Sequence, residues 1–136
     1  YRDQGRISGA EPLFKRALAI AEMALGPEHS DVATNLNNLA VLYHIQGRYA
    51  EAETFHERSL AIREKALGPE HLDVSQSLYN LAGLYETQGR YGKARALIER
   101  ALAIQENALG PEHPDVAQSL NILAMLYRYQ GKYAGA

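Results

Sequence analysis

The tetrapeptide Gly-Pro-Glu-His begins at Gly26, again at Gly68 and again at Gly110, an interval of 42 residues on both occasions. Laid over one another, residues 5–46, 47–88 and 89–130 are identical in 22 of 42 columns, with no insertion. A fixed period of this size means structural units that cannot bury their apolar faces alone and must stack on their neighbours. The chain is therefore expected to fold as one array of three copies, residues 1–136, with partial copies at 1–4 and 131–136. Tyr1 shares the column of Tyr43, Tyr85 and Tyr127, and Ala136 lies six residues into a fourth copy. Both ends thus fall inside a repeat, and we expect the 136 residues to be a segment of a longer protein.

Two blocks in each copy carry helical periodicity. The first is Leu36, Leu39, Ala40 and Tyr43, repeated as Leu78, Leu81, Ala82, Tyr85 and as Leu120, Leu123, Ala124, Tyr127. This is an i, i+3, i+4, i+7 stripe. The second block, Ala52, Phe55, Ser59, Leu60, Ile62 and Ala66 with its counterparts, forms one wide face. Glycines mark the ends: Gly47, Gly89 and Gly131 close the first helix of each copy, and Gly26, Gly68 and Gly110, each followed by proline, close the second. Asp31, Asp73 and Asp115 sit where a carboxylate favours the positive end of the next helix. The pattern predicts helices at 7–25, 31–46, 49–67, 73–88, 91–109 and 115–130, a stub at 133–136, and no strand. Small residues, Ala40, Ala82 and Ala124 with Ala52, Ala94, Ser59 and Ala101, are expected where neighbouring helices cross.

Composition narrows the function. Fourteen Lys and Arg against sixteen Asp and Glu give a net charge of −2, with the signs interspersed. That distribution argues against nucleic acid or an anionic membrane as partner. The longest apolar run, Ile122 to Tyr127, is far too short for a membrane span. With no cysteine, disulfides, thiolate zinc sites and cysteine nucleophiles are excluded together, which fits a cytoplasmic protein.

Leu39-Ala40-x-x-Tyr43, Gly47-x-Tyr49-x-x-Ala52 and Ser59-Leu60, repeated as Leu81-Ala82-x-x-Tyr85, Gly89-x-Tyr91-x-x-Ala94 and Ala101-Leu102, resemble the tetratricopeptide pattern. The usual period of that family is about 34 residues; here roughly eight more lengthen the second helix and add the Gly-Pro-Glu-His linker. With Ala61 to Gly68 and Asn37-Asn38-Leu39-Ala40, the copies look like the 42-residue repeats of kinesin light chain and of similar bacterial arrays. The resemblance implies an all-α, right-handed solenoid of antiparallel helix pairs that serves as a non-catalytic interaction module.

The same resemblance marks a ligand-facing stripe on the first helices. Its columns read Thr34, Gln76, Gln118; Asn37, Tyr79, Asn121; Asn38, Asn80, Ile122; Val41, Gly83, Met125; and His44, Glu86, Arg128. In the family this face receives an extended peptide, and Asn38 and Asn80 match columns whose amides hold a peptide backbone. Gly83 within a helix costs roughly 1 kcal/mol against alanine, and beside Tyr79 it would open a shallow pocket. Arg128 is the only fixed positive charge on the stripe, so a neutral or mixed peptide is expected rather than an acidic tail. The competing reading is drift on a solvated face.

Other candidates weigh less. His29, His71 and His113 lie one repeat apart and offer one imidazole per turn, where zinc takes three or four protein ligands; they are expected to fix the turn and cap the next helix. His44 and His56 occur once each in their columns, which suggests surface or boundary positions. Arg16, Arg58 and Arg100 are identical on the second helices. They could form a ligand-facing ladder, but hydrogen bonds or stem packing between repeats fit better. No nucleophile-base signature and no phosphate loop is present, so neither catalysis nor a cofactor or metal is expected. Protein or peptide is the expected partner. The rival function is a structural spacer or self-association element, with apolar stripes at the two ends joining copies head to tail.

Overall fold

A computed structural model of the chain describes residues 2–134, with side-chain surroundings from 9 to 131. Six helices follow one another: α1 (Arg2–Leu25), α2 (Ser30–Ile45), α3 (Tyr49–Leu67), α4 (Leu72–Thr87), α5 (Tyr91–Leu109) and α6 (Pro114–Ala134). No strand occurs among the described residues. The fold is an all-α solenoid type built from helix pairs, in two compact units that divide between Gly68 and Pro69.

In the first unit α2 packs on α1 and on α3. Val32, Ala33 and Leu36 of α2 and Ile62 of α3 form a core against which Leu18, Ala21 and Phe55 rest. The Tyr43 and Phe55 rings stack at 5.4 Å. In the second unit α5 lies against both α4 and α6, and Leu78, Leu81, Leu84, Ile98 and Ile104 are buried. Each such side chain removed from water contributes about 1.5–3 kcal/mol. Ala40, Ala82, Ala52, Ala94, Ala101 and Ser59 are all buried as expected of crossing points, and Ser59 Oγ donates to the Ala33 carbonyl at 2.7 Å. Ala124 differs: it is exposed, because no second-type helix covers α6 among the described residues.

The linker is built the same way three times. His29, His71 and His113 are helix caps whose Nδ1 accepts the N–H of Asp31, Asp73 and Asp115 at 3.0, 3.0 and 3.1 Å. Gly68 and Gly110 take φ 95° and 92° with ψ 150° and 153°, a region essentially open to glycine alone.

Two helix limits depart from expectation for a common reason. Gly5, Gly47, Gly89 and Gly131 share one column, yet α1 runs from Arg2 straight through Gly5, and α6 continues through Gly131 to Ala134. Gly47 and Gly89 do break the helix, at φ 78° and 75°. There the following helix folds back, and the N–H groups of Arg48 and Arg90 reach the Tyr43 and Tyr85 carbonyls at 2.8 Å, closing a 6→1 ring. The guanidiniums of Arg48 and Arg90 then cover those tyrosine rings at 4.3 and 4.6 Å. Glycine permits the reversal, while packing of the helix pair imposes it. The remaining stub residues, 135–136, lie outside the described residues.

Candidate functional site

The first helices of the second unit, α4 and α6, form the walls of a trough floored by α5. Its volume is about 450 Å³. Gln76 and Tyr79 line it from α4, Gln118 and Ile122 from α6, and Gln105 and Leu109 from α5. Helix period puts Gln76 and Tyr79 one turn apart on one face, as it does Gln118 and Ile122. Leu72, Ser75, His113 and Asp115 close the end near the linkers.

The floor is pinned by one carboxamide. Tyr79 Oη donates to Gln105 Oε1 at 3.2 Å, and buried Ser119 Oγ of α6 donates to the same oxygen. Burial, more than any other influence, raises the Tyr79 phenol above its ordinary value. Tyr79 is thereby held to the floor as a hydrogen-bond donor. No hydrogen bond to another described residue engages the Gln76 or Gln118 carboxamide, so each wall keeps a free donor and acceptor.

Below Tyr79 lies a smaller pit of about 80 Å³, lined by Ala82, Gly83 and Glu86 of α4, Ile98 of α5, and Ile122 and Leu126 of α6. A Cβ added at Gly83 would meet no atom within 4 Å. The glycine thus stands over open space.

Of the residues expected on this face, Gln76, Tyr79, Gly83, Gln118, Ile122 and Glu86 border these two cavities. Asn80 and Met125 are half-buried, Asn121 and Arg128 are exposed, and these four line neither. In the first unit Thr34 and Val41 are exposed and Asn38 is half-buried, but Asn37 is buried. Thr34 borders a groove of about 550 Å³ against Ala17, Ile20, Ala21 and Leu25 of α1.

Several participants were not singled out from sequence. Arg63, buried on α3, sends Nη2 to Thr34 Oγ1 at 3.4 Å, so Arg128 is not the only cation beside the stripe. Arg63 and Gln105 share a column with Ala21. A polar residue alternating with alanine at the edge of an apolar stripe was the available signal. His56 needs the larger correction: it is 1% exposed rather than at a boundary, and neither ring nitrogen has a hydrogen-bond partner among the described residues. Burial, aided by His44, lowers its pKa to about 4. Arg58, by contrast, joins repeats as expected, with Nη2 2.7 Å from Glu22 Oε2.

Among the described residues, no group of three or more His, Asp or Glu side chains is placed to hold a metal ion. No helix there is long and apolar enough to cross a membrane.

The structure of BtubC (BKLC) from P. vanneervenii superposes with a TM-score of 0.85 at 29% identity, covering 96% of this chain and 52% of that one. A Podosopora anserina protein of kinesin light chain type, with nearly identical TPR-like repeats, gives a TM-score of 0.83 at 32% identity, over 96% of this chain and 62% of that one. The chain therefore spans between half and two thirds of these structures. A search of the curated proteins gives no match. Tetratricopeptide repeats generally mediate protein–protein interaction. The model of that family matches residues 1–65, 31–107 and 73–136, and the chain belongs to the tetratricopeptide repeat family.

Proposed function

We propose that the trough between α4 and α6 binds an extended peptide segment of a partner protein, and that the chain works as a non-catalytic interaction module. The observation that carries this reading is the pair of unengaged carboxamides, Gln76 and Gln118, one on each wall of a cavity floored by Gln105 and Leu109. A peptide backbone offers the donors and acceptors such amides match. On this reading Asn80, Asn121, Met125 and Arg128 of the second unit are peripheral contacts of the trough, while Thr34, Asn38 and Val41 belong to the first unit's own stripe, where buried Asn37 supports the helix. A cytoplasmic setting belongs to the same proposal. A random pool of capped hexapeptides, titrated while backbone amide resonances are followed, tests it. Saturable shifts should centre on Gln76, Tyr79 and Gln118, and replacing both glutamines by alanine should weaken binding about tenfold, two hydrogen bonds at roughly 0.5–1.5 kcal/mol each. Shifts elsewhere, or indifference to the double replacement, would refute it.

A second reading rests on exposure. Leu120 and Tyr127 are 47% and 48% exposed, whereas their equivalents Leu36, Leu78, Tyr43 and Tyr85 are at most 5% exposed. On α1, Leu13 and Ile20 are likewise open. In self-association, α6 of one copy would take the place of a first-type helix against α1 of another, a heterologous contact. Sedimentation across a hundredfold range of concentration should show a rising weight-average mass; a constant monomer mass would remove this reading.

A further inference from the structure

The pit beneath Tyr79 is open for a reason that lies in one residue. Helical Gly83 has ordinary negative φ, so no backbone conformation requires glycine there. The other copies place Val41 and Met125 in that column. Here the missing side chain leaves a recess walled by Ala82, Ile98, Ile122 and Leu126, with the Tyr79 ring on one side and Glu86 at the rim. Tyr79 and Ile122 border both the recess and the larger trough, so a ligand in the trough has direct access to it.

We infer that this recess is a specificity pocket for one branched aliphatic side chain, leucine or isoleucine, of a peptide whose flanking residues are neutral or cationic. The inference rests on the trough being a peptide site, as proposed above. Size selects the guest: a cavity of about 150 Å³ admits a benzene ring, and 80 Å³ leaves room for a few carbons but not for an aromatic ring. The apolar wall excludes a polar guest, which would lose its water without gaining a partner. Charge selects the flanks. Glu86 borders the recess and Asp115 the trough, and among the described residues no lysine or arginine lines either. The one imidazole in the lining, His113, has its Nδ1 occupied by the Asp115 N–H. An acidic side chain at the recess would meet like charge and no cation in the lining to offset it.

The experiment uses capped hexapeptide pools, random except for one position fixed as Leu, Phe, Lys or Glu, titrated against the whole chain and against two variants. Amide resonances of Ala82, Gly83 and Leu126 report the pocket, and those of Gln76 and Gln118 report the trough. The Leu-fixed pool should shift both sets and bind at least fivefold more tightly than the Phe-fixed pool, with the Glu-fixed pool weakest. Gly83→Leu, which fills the recess with the protein's own aliphatic group, should weaken the Leu-fixed pool about tenfold and erase its advantage. Gly83→Ala should retain most of that advantage. Trough shifts without a leucine preference, or a preference that survives Gly83→Leu in a variant of unchanged helicity, would overturn the pocket and leave the peptide trough standing. Absence of shifts in both sets for every pool would overturn the trough and the pocket together.

Discussion

His56 places two polar nitrogens where water cannot reach them. A neutral imidazole always carries one N–H and one lone pair, and leaving such groups unpaired in the interior costs about 1–3 kcal/mol. The pKa of about 4, against an ordinary 6.5, is the same fact in titration form: the native state resists protonation that the unfolded chain accepts. Between those values the unfolded state binds more protons, so native stability falls as pH drops from 6.5 towards 4 and levels off below, a loss on the order of 3 kcal/mol. His56→Phe should raise stability at neutral pH and flatten that segment of the profile, with urea melts at pH 7, 5.5 and 4.5 as the measurement. A parallel decline in both proteins would show that other groups govern the acid response. Variation among copies does not mark exposure at His56. Its column companions, Phe14 and Ile98, are both apolar, and Ile98 is buried. The column was apolar throughout, and the histidine was the odd member within it.

Helix boundaries show which local signals suffice alone. The Gly-Pro-Glu-His linker was legible because its parts act within a few residues: a glycine-only backbone angle, a proline that cannot continue the helix, and an imidazole that reaches an amide two residues on. His71→Ala should therefore destabilise by about 0.5–2 kcal/mol, while His71→Asn, whose side-chain oxygen can reach the same amide, should lose much less; thermal melts distinguish them. Gly131 lies inside α6 because its column breaks a helix only when a partner helix folds back upon it, and that is tertiary information. Packing at helix crossings was readable from residue size. Ala82 is 2% exposed, and Ala82→Leu should cost about 1–3 kcal/mol by overpacking. Gln76→Ala, on the trough wall, should stay within about 0.5 kcal/mol. Denaturant midpoints compared at unchanged slope give both values.

Across the molecule, burial of one repeated column is uneven, and stability should follow it. Leu36 and Leu78 are fully buried while Leu120 is 47% exposed, so α6 holds less of its apolar face than α2 or α4. Amide exchange is expected to be slowest in α2 and α4 and markedly faster in α6 beyond Leu120, since local opening tracks buried contact; uniform protection would contradict the ordering. The array and its frame were plain from the period, whereas the trough's floor, Gln105, depended on which turn of α5 the fold brings between two other helices. The half-covered α6 has a wider consequence. Gln118 and Ile122 stand on the same helix as Leu120 and Tyr127, so whatever settles into the trough and whatever covers the open leucine face both favour an ordered α6. Where α6 opens in the free chain, two such ligands are thermodynamically linked, each raising the affinity for the other by the same factor. A partner protein that touched both faces would then bind cooperatively with itself, and a fragment touching only one would understate its grip.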